Sequence, residues 1–172
     1  HNALNAGETN YPPSDGMLIL RQAVADFTAR EYGVRYPIES TLIASGSRPL
    51  LYAAYRCVVN PGDVVVYPAP SWNNNHYVNL TQAKGIDLAT RYEDGFQLTI
   101  EQLAPHLSSA QMIALNTPLN PSGTVMKAEQ LRAIAQATVD ENAKRTKAGR
   151  RHLFLLFDQV YGSLVFGSTK HD

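Results

Sequence analysis

The sequence predicts an α/β fold: a mainly parallel sheet with helices on both faces, three αβα layers in all. Two observations carry this. Short apolar runs at residues 64–67, 112–115 and 152–157 have the character of strands buried on both faces. Between them lie longer stretches whose apolar residues recur at helical spacing, so strand and helix alternate along the chain.

The elements follow in order. Residues 1–10 show no periodicity and read as an irregular arm. Tyr11-Pro-Pro-Ser-Asp-Gly16 is a turn, with Ser14 or Asp15 placed to cap the next helix. That helix is predicted over residues 17–32, with Leu18, Val24, Ala25 and Phe27 on its apolar face and Gly33 as its stop. Residues 42–45 read as a short strand. It leads through Gly46-Ser47-Arg48-Pro49 into a helix ending near residue 59, Pro49 suiting the first turn. Asn60-Pro-Gly-Asp63 is a turn before the strand at 64–67. Ser71-Trp72 opens a helix reaching residue 83, and residues 86–91 form a further strand. Thr99-Ile-Glu-Gln102 has capping-box form. The strand at 111–116 runs into a tight loop, a long helix spans 127–147, and the strand at 152–157 ends at Asp158.

Composition narrows the function. The 172 residues suffice for one domain with a sizeable core. Lys plus Arg and Asp plus Glu are 15 each, so the basic excess of a nucleic-acid binder is missing. The dense basic run of Lys144, Arg145, Lys147, Arg150 and Arg151 falls at a helix end, where cations complement the macrodipole. No apolar run approaches the roughly 18 residues that cross a membrane, and no signal peptide is visible. The single Cys57, inside an apolar helical pattern, reads as a small buried hydrophobe. A chain that can form no internal disulfide suits the reducing cytoplasm. The sequence begins at His1 and stops at Asp172 without a closing element. We expect a piece of a longer polypeptide, with residues 1–15 an arm and 16–172 the front part of a larger domain.

Four places concentrate polar chemistry at the predicted strand ends. In the loop after residue 115, Pro118 and Pro121 fix two φ angles and Gly123 frees one. Such a loop either aims Asn120 outward or lets Asn and Ser bond their own backbone. Its tightness makes Asn120–Pro121 a candidate cis bond. Gly46, Ser47 and Arg48 at a helix start suit a phosphate, or simply cap the helix. Trp72 serves as core or as a ligand platform. Asp158 either caps a helix or needs a cationic partner, because a carboxylate beside Phe157 is costly to bury alone. Together these residues offer a phosphate cradle, an aromatic surface, an amide and a carboxylate. A phosphorylated heteroaromatic ring with a protonated nitrogen would use all four.

At this point the sequence resembles the class I/II aminotransferases, the fold-type I pyridoxal 5′-phosphate enzymes. The likeness runs from Asn10 to Gly167. Asn120-Pro-Ser-Gly123 resembles the family's Asn-Pro-Thr/Ser-Gly loop, and Asp158-Gln-Val-Tyr161 its Asp-x-x-Tyr element. The resemblance implies that Asp158 pairs with the pyridinium nitrogen while Asn120 and Tyr161 reach the cofactor's 3′-oxygen. It implies that Trp72 stacks on the ring and that Gly46, Ser47 and Arg48 hold the phosphate. Tyr11 would reach the phosphate of a partner subunit, making a homodimer. The implied reaction moves an amino group from an amino acid to a 2-oxo acid.

Two departures matter. Gln159 stands where many relatives have Glu. The lysine that bonds the cofactor covalently has no obvious counterpart among the five lysines. Lys84, Lys127, Lys144 and Lys147 read as helix-surface or helix-end residues, and Lys170 as a loop residue too close to Asp158. We therefore expect no catalytic residue here and place that lysine beyond Asp172. The same fold and cofactor would equally serve a C–S lyase or decarboxylase, or a non-catalytic effector-binding domain of a transcription regulator. An unrelated nucleotide-binding domain is disfavoured, since no Gly-rich phosphate-loop pattern occurs.

Overall fold

The computed structural model describes residues 1–167, which fall into two compact units divided after Leu50. Lys170 lies outside the described residues.

The first unit is mostly one helix. The arm contains a single helical turn, α1 (Asn2–Asn5), where an irregular segment is expected; the Asn5 and Ala6 amides bond back to His1 and Asn2. Helix α2 (Leu18–Tyr32) ends where predicted, at Gly33, whose φ of 70° only glycine adopts readily. Its start differs from expectation. Neither Ser14 nor Asp15 caps it, because the Asp15 carboxylate is drawn into an ion pair with Arg21. Of the predicted apolar face only Ala25 is buried, while Leu18, Val24 and Phe27 stay exposed within this short unit. The expected strand at 42–45 does not form. It has no ladder, and the Ile43 amide bonds the Asp15 carbonyl instead. Helix α3 (Ser47–Val58) begins in this unit.

The second unit is a four-stranded parallel sheet in the order β2-β1-β3-β4. Its elements are β1 (Val64–Ala69), α4 (Asn74–Leu80), β2 (Lys84–Ala89), α5 (Ile100–Leu103), β3 (Ala110–Asn116), α6 (Ala128–Lys147) and β4 (Phe154–Asp158). Strand alternation divides the core between the two faces. Val66, Ile113 and Leu115 pack with Leu103 of α5 and Ile134 of α6. Val65, Tyr67, Met112 and Ala114 pack with Tyr55 of α3 and Tyr77 and Val78 of α4. All seven residues of β3 are buried, as a central parallel strand requires.

Several boundaries move for identifiable reasons. β2 starts two residues early because the Lys84 amide reaches the Asp63 carbonyl, so Lys84 lies on a strand and not on a helix. The capping box forms as predicted: Thr99 Oγ1 accepts from the Gln102 amide, and Gln102 accepts from the Thr99 amide. α4 is shorter at both ends than the sequence suggests, since Asn73 takes a left-handed φ of 61°. Cys57 is exposed, not buried, because α3 turns Tyr55 inward and leaves Cys57 on its far side. Among the described residues no helix is long and apolar enough to cross a membrane.

At the amino end of β3 a buried ion pair locks the sheet to α6. The Arg145 Nε donates to Glu141 Oε1 at 2.9 Å, and its Nη2 donates to the carbonyls of Leu107 and Ala110 at 2.7 and 2.6 Å. Both side chains are almost fully enclosed.

Candidate functional site

Three adjacent parallel strands, β1, β3 and β4, deliver their carboxyl ends to one edge. Open α/β sheets bind ligands at that edge. Trp72 follows the end of β1, Asn120 the end of β3, and Asp158 with Tyr161 closes β4. The sheet therefore brings these four predicted residues to the same side of the second unit.

The tip of β3 is tied to the tip of β4. Asn116 and Asp158 are register partners. The Asn116 Nδ2 donates to the Asp158 carbonyl at 3.1 Å, and the Thr117 amide donates to the same carbonyl. The Asn116 Oδ1 accepts the Asn120 amide at 2.8 Å. The Asn120 side chain does not turn back on its own loop; its Nδ2 donates to the Tyr161 hydroxyl at 3.3 Å. Ser122 does bond locally, to Thr124. Asn120–Pro121 is cis, as its tight loop suggests, and so are Ala69–Pro70 and Thr117–Pro118. A cleft of about 410 Å³ opens beside this pair, lined by Asn120, Pro121, Gly123, Tyr161 and Leu164.

Asp158 is half-buried, and burial pushes its carboxyl above the usual carboxylate range. One backbone bond opposes that shift: the Val160 amide donates to Oδ1 at 3.0 Å. Among the described residues no lysine, arginine or histidine forms an ion pair with it. The carboxylate is thus partly desolvated without a counter-charge of its own.

Trp72 is about half exposed, so its ring contributes surface to the edge of the sheet. Its segment is held from beneath. The Tyr55 hydroxyl donates to Asn74 Oδ1 at 2.9 Å, and Asn74 Nδ2 donates to Ser71 Oγ at 3.0 Å. Tyr55 is fully buried, and that burial raises the pKa of its phenol.

The remaining predicted residues belong to the first unit. Gly46, with φ of 103°, precedes Ser47 and Arg48 at the exposed start of α3. Tyr11 is fully exposed. Among the described residues no group of three metal-ligating side chains occurs.

Sequence reasoning missed Asn116 and Asn74. Asn116 left a signal, a lone amide closing an apolar strand that is buried throughout. Asn74 left none, because it stands in a run of three asparagines and only folding shows which is enclosed.

Comparison with known proteins gives a consistent picture. The family model for aminotransferase class I and II matches residues 2–172. An aspartate aminotransferase of Rhizobium meliloti is 29% identical over 96% of this chain and 38% of its own. An aspartate/prephenate aminotransferase of Cereibacter sphaeroides is 30% identical over 95% of this chain and 39% of its own. The solved aspartate aminotransferase of Thermus thermophilus with maleate superposes with a TM-score of 0.89 at 26% identity. That match covers 99% of this chain and 43% of that one. The chain thus spans about two fifths of the length of the curated relatives it matches.

Proposed function

Because this chain belongs to the class I and II aminotransferases, we propose that the full-length protein is a pyridoxal-phosphate-dependent aminotransferase. Residues 16–172 would form the front part of its cofactor-binding large domain, behind an arm of residues 1–15. The observation that carries the proposal is Asp158: a half-buried carboxylate, without an ionic partner among the described residues, at the edge where parallel sheets take ligands.

The residues present fit this cofactor. A protonated pyridine nitrogen supplies the positive charge that Asp158 lacks. The Asn120 amide and the Tyr161 hydroxyl, already adjacent, are two donors suited to a phenolate oxygen. Trp72 offers a flat apolar face to a ring. The amides at the start of α3, with Ser47 and Arg48, suit a phosphate. When bound, the cofactor supplies an electron sink for a carbanion at the substrate's Cα.

The work of this chain's own side chains is electrostatic and positional. Asp158 would keep a proton on the ring nitrogen, because a half-buried carboxylate is stabilised by a cation beside it. Asn120 and Tyr161 would stabilise negative charge on the cofactor's phenolic oxygen. Trp72 would fix the ring plane, and Gly46, Ser47 and Arg48 are assigned to the phosphate. The lysine that carries the proton at Cα is assigned to the part of the polypeptide that relatives have and this chain does not span. Tyr11, exposed on the arm, is assigned to a partner subunit's phosphate in a homodimer. The single exposed Cys57 suits a cytoplasmic enzyme.

The test is amino transfer by the full-length protein, reconstituted with pyridoxal phosphate. Each amino acid is offered with a 2-oxo acid, and the new amino acid is measured. Stoichiometric transfer is the expected result. Release of ammonia or carbon dioxide without transfer would reassign the protein to elimination or decarboxylation. Absence of cofactor binding would end the proposal.

A further inference from the structure

We infer that Asn116 is the positioning residue that sets the amide of Asn120 and the carboxylate of Asp158 to one another. It works through two hydrogen bonds, one that fastens the loop after β3 to the strand and one that joins the tips of β3 and β4. The inference rests on the cofactor reading above and deepens it.

The argument starts from what each group of the Asn116 amide does. Its oxygen accepts the backbone N–H of Asn120 at 2.8 Å, and its nitrogen donates to the carbonyl of Asp158 at 3.1 Å. One side chain thus uses both ends on the backbones of the two residues that would flank the ring. Asn116 is itself buried, 8% exposed, so neither bond is exchanged cheaply for water. Near Asn120 the other backbone bonds are internal to the loop, from the Leu119 amide to the Thr124 carbonyl and from the Gly123 amide to the Leu119 carbonyl. Pro118 and Pro121 bring no amide donors, so here the Asn120 N–H is the backbone donor that reaches back to β3. The register ends at Asn116 and Asp158, and the one further backbone bond, from the Thr117 amide to the same Asp158 carbonyl, does not reach Asn120. Beyond that register the amide is a cross-link between the two tips, and a site must be held closely to be productive.

The sheet contains its own control. At the other end of β3, Gln111 Nε2 donates to the carbonyl of His152, just before β4, at 2.8 Å. It too is a buried amide bridging the same pair of segments. A merely structural role for Asn116 predicts that the two substitutions behave alike.

The experiment uses the full-length protein and three variants: Asn116→Ala, Asn116→Asp and Gln111→Ala. Two quantities are read: the pyridoxal phosphate dissociation constant, and the pH midpoint of the bound cofactor's visible absorbance. Asn116→Asp keeps an acceptor for the Asn120 amide and loses the donor to Asp158, and it guards against an alanine variant that fails to fold. We expect both Asn116 variants to bind about tenfold or more weakly and to displace the midpoint. Gln111→Ala should lower thermal stability while leaving both readings as in the unsubstituted protein. Wild-type binding and midpoint in an Asn116 variant would overturn the inference alone. Equal effects from Gln111→Ala would overturn it as well, by showing general loosening of the sheet. Failure of the unsubstituted protein to bind the cofactor would overturn the reading on which it rests.

Discussion

The Asn120 amide donates to the Tyr161 hydroxyl across 3.3 Å, joining the loop after β3 to the turn after β4. Each residue lies within four positions of a strand end, so the pair is placed by the sheet and not by a long loop. If the two act as a unit, their effects should not add. Asn120→Ala and Tyr161→Phe are each expected to weaken pyridoxal phosphate binding by roughly tenfold in the full-length protein. The double variant should lose less than the sum of the two. Equilibrium titration of the four proteins checks this, and strictly additive losses would refute the coupling.

Burial raises the Asp158 carboxyl, and the Val160 amide offsets that only in part. In the cofactor-free protein the folded state therefore holds this proton more tightly than the unfolded chain does. The associated stability is present below the ordinary aspartate value of 3.8 and is lost as pH rises through the raised folded value. Asp158→Asn is expected to raise the melting temperature of the cofactor-free protein at neutral pH, with the gain shrinking in acid. The same variant should bind the cofactor more weakly. A gain independent of pH would show that desolvation is not its source.

Tyr55, Asn74 and Ser71 form a continuous hydrogen-bonded support under Trp72. Tyr55→Phe leaves the Asn74 oxygen enclosed and without its donor, at a cost of about 1–3 kcal/mol. Trp72 is the only tryptophan, so its fluorescence reports on this segment directly. A shifted emission maximum is expected alongside the lost stability. Lower stability with unchanged emission would confine the network to the core.

Arg145 is buried against Glu141 and against carbonyls at the start of β3. Arg145→Ala leaves that carboxylate with Arg150 alone, at 3.0 Å, and takes the donor from the Leu107 and Ala110 carbonyls; the loss in denaturant unfolding is expected to stay below the roughly 3–5 kcal/mol of a fully unpaired buried charge. The hydrogen bond from Arg145 holds the Glu141 carboxyl below its ordinary value of 4.5. Its contribution is therefore present above that value and lost as pH falls through the depressed one. Acid unfolding of the wild type should show this loss and Glu141→Gln should not. An identical acid profile for both would rule out Glu141 as the titrating group.

The parallel sheet was legible because its inner strands have no polar face to hide. Residues 64–67 and 111–116 can only be buried strands. Edge and isolated segments were harder to read. β2 mixes exposed and half-buried residues, so its start was set two residues late. Residues 42–45 look like a strand locally, but a strand exists only with a partner, and Ile43 finds a turn instead. Cys57 faces solvent although its neighbours are apolar, because a helical pattern fixes spacing and not which side faces in. That Asn120, Asp158 and Tyr161 meet at one edge of the sheet was legible through their order along the chain. The Asn116 bridge was not, since a contact between residues 116 and 158 depends on register, which forms only in three dimensions.

β3 has no free face: all seven of its residues are enclosed. Its sequence is thereby spoken for by packing, and a substitution anywhere along it would be felt first as lost stability. Latitude for substitution lies instead at the exposed and half-exposed positions of the segments after Ala69, Asn116 and Asp158, since Asn74, Thr117, Pro118 and Leu119 are enclosed like the strand itself. Laboratory selection for new specificity should accumulate its changes in those three short stretches and leave the strand between them untouched.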